Sequence, residues 1–251
     1  MKKIHAFGCS LTAQHNWKYM NDCEDGPLKE KTPHEWNYNG IDMSSYAICN
    51  GSHNMQLIQY ANGVHHKTIK QKDIIIWQIT DWTRHGVRCE NIYAREENLT
   101  NYDENRRVVG ILRDKNIYTN TDITMASLGT TRDIIEYNNI IGISKNLKQQ
   151  VAYSRSNDEA MYEQTWAING IKRNNNKLIV LFGWDSCFPN ESKNVIVKFL
   201  KENNIDYIRE SIFDWTIKEG YSRTKGCHPD KKGYRGFTRK KLMPKLQELG
   251  W

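Results

Sequence analysis

Ile4-His5-Ala6-Phe7-Gly8-Cys9-Ser10-Leu11-Thr12 is the stretch that decides the fold. A short β-type run ends at Gly8, and two positions later a serine stands where a helix is expected to open. In an open α/β sheet this puts the hydroxyl at the C-terminal edge of a parallel strand, where such sheets bind ligands. The first amides of the following helix lack intrahelical partners and point at whatever meets the hydroxyl. Ser10 therefore reads either as a helix N-cap, which is common, or as a nucleophile with part of an oxyanion hole beside it.

The far end of the chain bears on that choice. Gly226-Cys227-His228-Pro229-Asp230, followed by Lys231-Lys232-Gly233-Tyr234, reads as a loop that presents a histidine and then enters a terminal helix. Pro229 suits a first helical turn, and the helix is expected from Lys231 to Leu249 with Phe237, Leu242, Leu246 and Leu249 as its apolar stripe. An imidazole on that loop, lying across the sheet edge from Ser10, can accept its proton.

Between these ends the expected strands are Lys3–Phe7, Tyr46–Cys49, Ile74–Ile79, Leu178–Phe182 and a short one at Tyr207–Ile208. The unbroken apolar run Ile74–Ile79 suits a strand buried on both faces. Helices are expected from Asn54 to about Ile69, from Thr131 to Tyr153, from Asp158 to Lys172 and over Lys193–Glu202. This order predicts an α/β fold: a three-layer α/β/α sandwich around a five-stranded, mostly parallel sheet. Residues 13–40 read as loop. Residues 84–130 show no clear period and read as an irregular insertion covering the site, within one domain spanning 1–251.

Four blocks along the chain resemble the SGNH (GDSL-type) hydrolases, and more narrowly their compact phage and bacterial members with a Phe-Gly-Cys-Ser first block. They are Phe7-Gly8-Cys9-Ser10-Leu11-Thr12, Cys49-Asn50-Gly51-Ser52-His53-Asn54, Ile74 to Arg84, and His228-Pro229, in the family order. The resemblance implies a flavodoxin-like fold and a serine esterase needing no cofactor and no metal. Ser10 would be the nucleophile and His228 the base. The backbone N–H groups of Ser10 and Gly51 would hold the oxyanion, with Thr80 or Asn54 as third donor. Three positions depart from the family pattern. Cys9 stands for the usual Asp, Thr80 for the usual Asn, and Lys225 occupies the position of the triad acid. Asp185, Asp214 and Asp230 are the candidate substitutes, and a Ser-His dyad is the alternative. Asp81, Arg84, Trp82, Trp184 and Lys225 are the candidate substrate contacts, with Trp17 and Trp36 as further aromatics for the cleft.

Composition bounds the reading. The 251 residues suffice for one substantial core, with 38% apolar and 26% charged residues. No apolar run is long enough to span a bilayer, and the N-terminal segment lacks a signal-peptide pattern, so a cytoplasmic protein is expected. The six cysteines form no CxxC pair, which argues against a thiolate zinc site. The net charge of +7 admits an anionic partner, and cations are dense from Arg223 to Lys245. The expected activity is serine-dependent hydrolysis or transfer of a carboxylic ester, a deacetylase or esterase acting on a sugar or other small hydroxylated substrate. Two rivals stand beside it: an SGNH-like binding protein without turnover, and a basic nucleic-acid-associated protein. Nothing in the sequence bears on oligomeric state.

Overall fold

In a computed structural model of the chain, the described residues are 3–9, 12, 43–47, 51–80, 85–88, 111–115, 122–128, 157–185, 190–223 and 228–251. Along the chain come β1 (Ile4–Phe7), β2 (Met43–Ser45), α1 (His53–His65), β3 (Ile74–Ile79), β4 (His85–Arg88), β5 (Ile111–Lys115) and β6 (Asp122–Leu128). There follow α2 (Asn157–Arg173), β7 (Lys177–Phe182), α3 (Asn190–Glu202), β8 (Asp206–Tyr207), α4 (Ile212–Lys218), α5 (Lys231–Phe237) and α6 (Met243–Glu248).

The main sheet has the order β2-β1-β3-β7-β8, and each neighbouring pair is parallel. β3 lies at its centre, with Phe7 opposite Trp77 on one side and Ile79 opposite Phe182 on the other. Alternation along the strands splits the core in two. Ile75, Trp77 and Ile79, with Val180 and Phe182, face the helices α1, α2 and α3 through Tyr60, Ile168 and Leu200. Ile74, Ile76, Ile179 and Leu181 face α4, α5 and α6 through Trp215, Phe237 and Leu246. The result is a three-layer α/β/α sandwich. Ile74, Ile75 and Ile76 are wholly removed from solvent, each worth about 2 kcal/mol of apolar burial. This is why the β3 run is apolar throughout and not alternating.

Several boundaries differ from expectation for identifiable reasons. β2 is Met43–Ser45, three residues ahead of the expected Tyr46–Cys49. Tyr46 instead follows the strand, bonds Ala6 C=O through its N–H and stacks its ring on Phe7 at 4.8 Å. α1 ends at His65 because the chain reverses through Lys67 at φ 58° and folds Ile69 back over Gly63. Ile69 is thus a core residue without being helical. The 84–130 segment is not irregular throughout: β4, β6 and β5 make a three-stranded antiparallel sheet beside α1. α4 was not expected. Ser211 caps it by accepting the Asp214 N–H at 3.0 Å.

The terminal helix is not uniform either. Thr238–Leu242 is a π-helical turn between α5 and α6, closed by the Met243 N–H on Thr238 C=O. Pro244, which cannot donate to a preceding carbonyl, follows at once, and the buried stripe spaces Phe237 and Leu242 by five residues. The expected segments 13–40 and 131–153 lie outside the described residues. Among those described, no helix is long and apolar enough to cross a membrane.

Candidate functional site

The strand order reverses between β1 and β3: the chain goes from β1 outward to β2 and then to β3 on the other side. In open parallel sheets the crevice beyond the C-terminal ends of two such strands is the ligand site. β1 leads into Gly8 and Cys9. A Cβ on Gly8 would lie 2.6 Å from Gln78 Oε1 and 2.7 Å from the Thr12 side chain, so the chain can pass only as glycine. Gln78, buried in β3, straps this turn. Its Oε1 accepts from the Thr12 hydroxyl and from the Cys9 N–H at 3.4 Å, and its Nε2 donates to Cys9 Sγ at 3.1 Å. Ser10, Asp81, Trp82, Arg84 and Lys225 lie outside the described residues.

The start of α1 is fastened to the end of β3. His53 Nε2 accepts the Thr80 N–H at 2.8 Å, so the ring is neutral at that nitrogen and carries its proton on Nδ1. Ser52, at the N-cap position, donates its hydroxyl to Asn54 Oδ1 at 2.7 Å. Gly51 and Ser52 are buried. The Thr80 hydroxyl is buried and has no hydrogen-bond partner among the described residues. Buried hydroxyls are ordinarily bonded.

On the other side of β3, the Phe213 N–H reaches Gly183 C=O at 3.2 Å, which sets the start of α4 at the same edge. The Arg223 guanidinium lies 4.2 Å from the Phe213 ring centre, and Arg223 pairs with Pro229 as an antiparallel bridge. Pro229, next to His228, is thereby held near the start of α4. His228 is half-buried, with Nδ1 shielded from solvent. Trp184, half-buried, stands 6.4 Å from the Phe213 ring.

The three carboxylates considered as orienters each hold another group. Asp185 pairs with Lys193 of α3, whose Nζ also lies 4.7 Å from the Phe182 ring. Asp214 accepts the Asp185 N–H at 2.6 Å and the Ser211 hydroxyl. Asp230 caps α5 by accepting the Gly233 N–H at 2.6 Å. Among the described residues no group of three His, Cys, Asp or Glu side chains is placed to hold a metal ion.

Gly51, Asn54, Thr80, Trp184, Asp185 and His228 thus share one edge. Sequence reasoning missed His53 and Gln78. The available signal was Gln78 itself, an amide inside an otherwise apolar strand that is covered on both faces.

No protein-family model matches the chain, and no curated protein does. Among solved structures it is similar to a member of the lipolytic protein G-D-S-L family from Veillonella parvula, at 12% identity and TM-score 0.47 over 97% of each chain. It is also similar to a GDSL-like lipase from Bacteroides thetaiotaomicron, at 11% identity and TM-score 0.47, over 100% of this chain and 89% of that one. A third is a mutant acetyl-xylooligosaccharide esterase from Geobacillus, at 11% identity and TM-score 0.47, over 100% and 94%. The fold assignment stands on the strand order and the two cores.

Proposed function

We propose that the chain is a serine-dependent carboxylic ester hydrolase or acyl transferase acting on a small hydroxylated substrate such as a sugar ester. His228 takes the Ser10 proton as the hydroxyl attacks the acyl carbonyl, then returns it to the departing alcohol. The acyl-serine is released to water or to a second alcohol. The oxyanion is held by the N–H groups of Ser10 and Gly51, with the Thr80 hydroxyl or the Asn54 amide as third donor. Asp185, Asp214 and Asp230 each already hold another group, and the alternative to a triad is a Ser10–His228 dyad with a backbone carbonyl as orienter. Trp82, Trp184, Asp81, Arg84 and Lys225 serve the alcohol side.

The observation that carries this reading is the switch point between β1 and β3. Those strands lead into Ser10 and Thr80, and the Thr80 hydroxyl is buried without a partner among the described residues. Labelling with a fluorophosphonate probe, with mass spectrometry of the modified peptide, tests it alongside p-nitrophenyl acetate turnover. Modification at Ser10 and loss of turnover in Ser10→Ala are expected. An unlabelled Ser10 and no Ser10-dependent turnover would instead support binding without catalysis, the reading that Lys225 in the acid position favours.

A further inference from the structure

The helix that follows His228 has two differently served sets of cations. Lys240 reaches Glu219 at 2.6 Å, Lys241 reaches Glu210 at 2.7 Å, and Lys245 reaches Glu248 at 2.6 Å and Asp206 at 3.5 Å. Glu219 is held below, and Lys240 above, its ordinary pKa, in each case first by the hydrogen bond between them. Lys232 and Arg239 have no such carboxylate among the described residues, and Arg239 works against the charge on Lys240. Together with Arg235, which has an interaction of its own, they line a cavity of about 220 Å³ whose remaining walls are Tyr221 and Gly236.

The cavity is built, not incidental to three long side chains. Residues 232, 235 and 239 are spaced by three and four, so they share one helix face and span about 10 Å along its axis. A Cβ on Gly236 would lie 2.3 Å from the Tyr221 hydroxyl and 2.6 Å from its Cζ. One on Gly233 would lie 3.2 Å from Tyr221 Cβ. The two helix glycines therefore let the tyrosine lie directly on the backbone, where Trp215 backs its ring at 5.9 Å. Glycine inside a helix is unfavourable, and the close approach of Tyr221 is what it permits here.

Three cations and a phenol around a small cavity specify an anion, and a guanidinium fork such as that of Arg239 matches phosphate oxygens in pairs. The volume is below that of an ordinary drug-sized pocket, enough for a phosphoryl group and part of a small carbon skeleton. The one aromatic ring in its wall lies on backbone and on Trp215, so it offers no free platform for a stacked base of the kind single-stranded nucleic-acid sites use. We propose that this cavity binds the phosphoryl group of a small phosphate monoester. The inference does not rest on the esterase reading.

Calorimetric titration of the full chain in phosphate-free, low-salt buffer tests it, with inorganic phosphate and then ribose 5-phosphate as probes. One-site binding of both is expected, with the ester at least as tight as the free ion. The exposed double substitution Arg235→Gln/Arg239→Gln should weaken both by at least about tenfold, whereas Lys240→Gln, on the compensated side, should leave them unchanged. Melting curves confirm folding, and Arg239→Gln alone replaces the double variant should that one fail to fold. No binding of either probe at about 10 mM, or equal binding by the arginine variants, overturns the proposal. So does binding of a short single-stranded oligonucleotide about a hundredfold tighter than the monoester and lost in the same variants, which would assign the cavity to a nucleic-acid backbone.

Discussion

The two edges of the central sheet are made from similar residues and put to opposite use. At the N-terminal edge, Asp73 accepts the N–H groups of Lys70 at 2.8 Å and Lys3 at 3.1 Å and lies 3.2 Å from His5 Nε2. Asn176 donates to Lys70 C=O at 2.7 Å and accepts the Tyr60 hydroxyl at 2.8 Å. Burial pushes the Tyr60 phenol up to about 12 and keeps it a neutral donor. At the C-terminal edge, the Thr80 hydroxyl is buried without a partner among the described residues. Gln56, three residues after His53, buries both ends of its amide in the same condition. An unmet buried polar group costs about 1–3 kcal/mol. The first edge ties the strands together through Asp73 and Asn176, with only His5 Nδ1 of that group left without a partner among the described residues, whereas the second has the Thr80 hydroxyl and the Gln56 amide in that condition, at the edge where parallel sheets take ligands.

The sharpest way to break this contrast is to alter one edge and look for an effect at the other. His228→Ala is expected to lower kcat/KM for p-nitrophenyl acetate by about 10³-fold or more and to leave the melting temperature nearly unchanged. A comparable loss of stability would make His228 part of the frame. Asp73→Ala should do the reverse. It strands two backbone donors and the His5 ring in the interior, and a loss of about 3 kcal/mol in urea unfolding is expected. Activity per folded molecule should hold. Thr80→Val is smaller and more discriminating, since valine keeps the shape and removes only the hydroxyl. Stability should stay level or rise by up to about 1 kcal/mol, because the lost group has no partner among the described residues to strand. Turnover should fall roughly ten- to a hundredfold if the hydroxyl faces the oxyanion. Unchanged turnover would give the third-donor role to Asn54.

The fold was legible where one segment carries its own signal. Ile74–Ile79 and Lys177–Phe182 are apolar throughout because both faces are covered, and that pattern reads directly as a central parallel strand. The end of β2 was misplaced because the β-type character of Tyr46 serves a ring stack beyond the ladder. The small sheet was missed because β4 (His85–Arg88) and β5 (Ile111–Lys115) mix charged and apolar residues with no period. At the site, Gly8 followed by Ser10, and a histidine just ahead of a helix, could be read locally. The His53–Thr80 and Gln78–Cys9 contacts could not, since they join residues 27 and 69 apart in sequence. Pro244 was the unread signal for the π-helical turn.

The gentlest test separates the edges by pH. His5 is 1% exposed, and burial lowers its pKa below the ordinary 6.5 despite the opposing pull of the Asp73 hydrogen bond and charge. In the folded chain a neutral ring therefore donates Nε2–H to the carboxylate. The unfolded ring takes up a proton near pH 6.5 that the folded ring refuses. Its contribution is thus complete above 6.5 and lost as pH falls through that value, with a slope of at most about 1.4 kcal/mol per pH unit. For Asp73, burial opposes ionisation, but the Lys70 and Lys3 N–H groups and the His5 ring outweigh it and lower its pKa from 3.8. Its share persists above 3.8 and disappears only in stronger acid. Urea midpoints measured between about pH 7.5 and 5 should fall in the wild type, and much of that slope should vanish in His5→Gln. The activity profile of His5→Gln, which on the present reading follows His228, should keep its wild-type shape. A stability curve that stays flat through 6.5 would mean that the folded His5 ring takes up its proton as readily as the unfolded one, and a shifted activity profile would couple two edges that the hydrogen bonds keep apart.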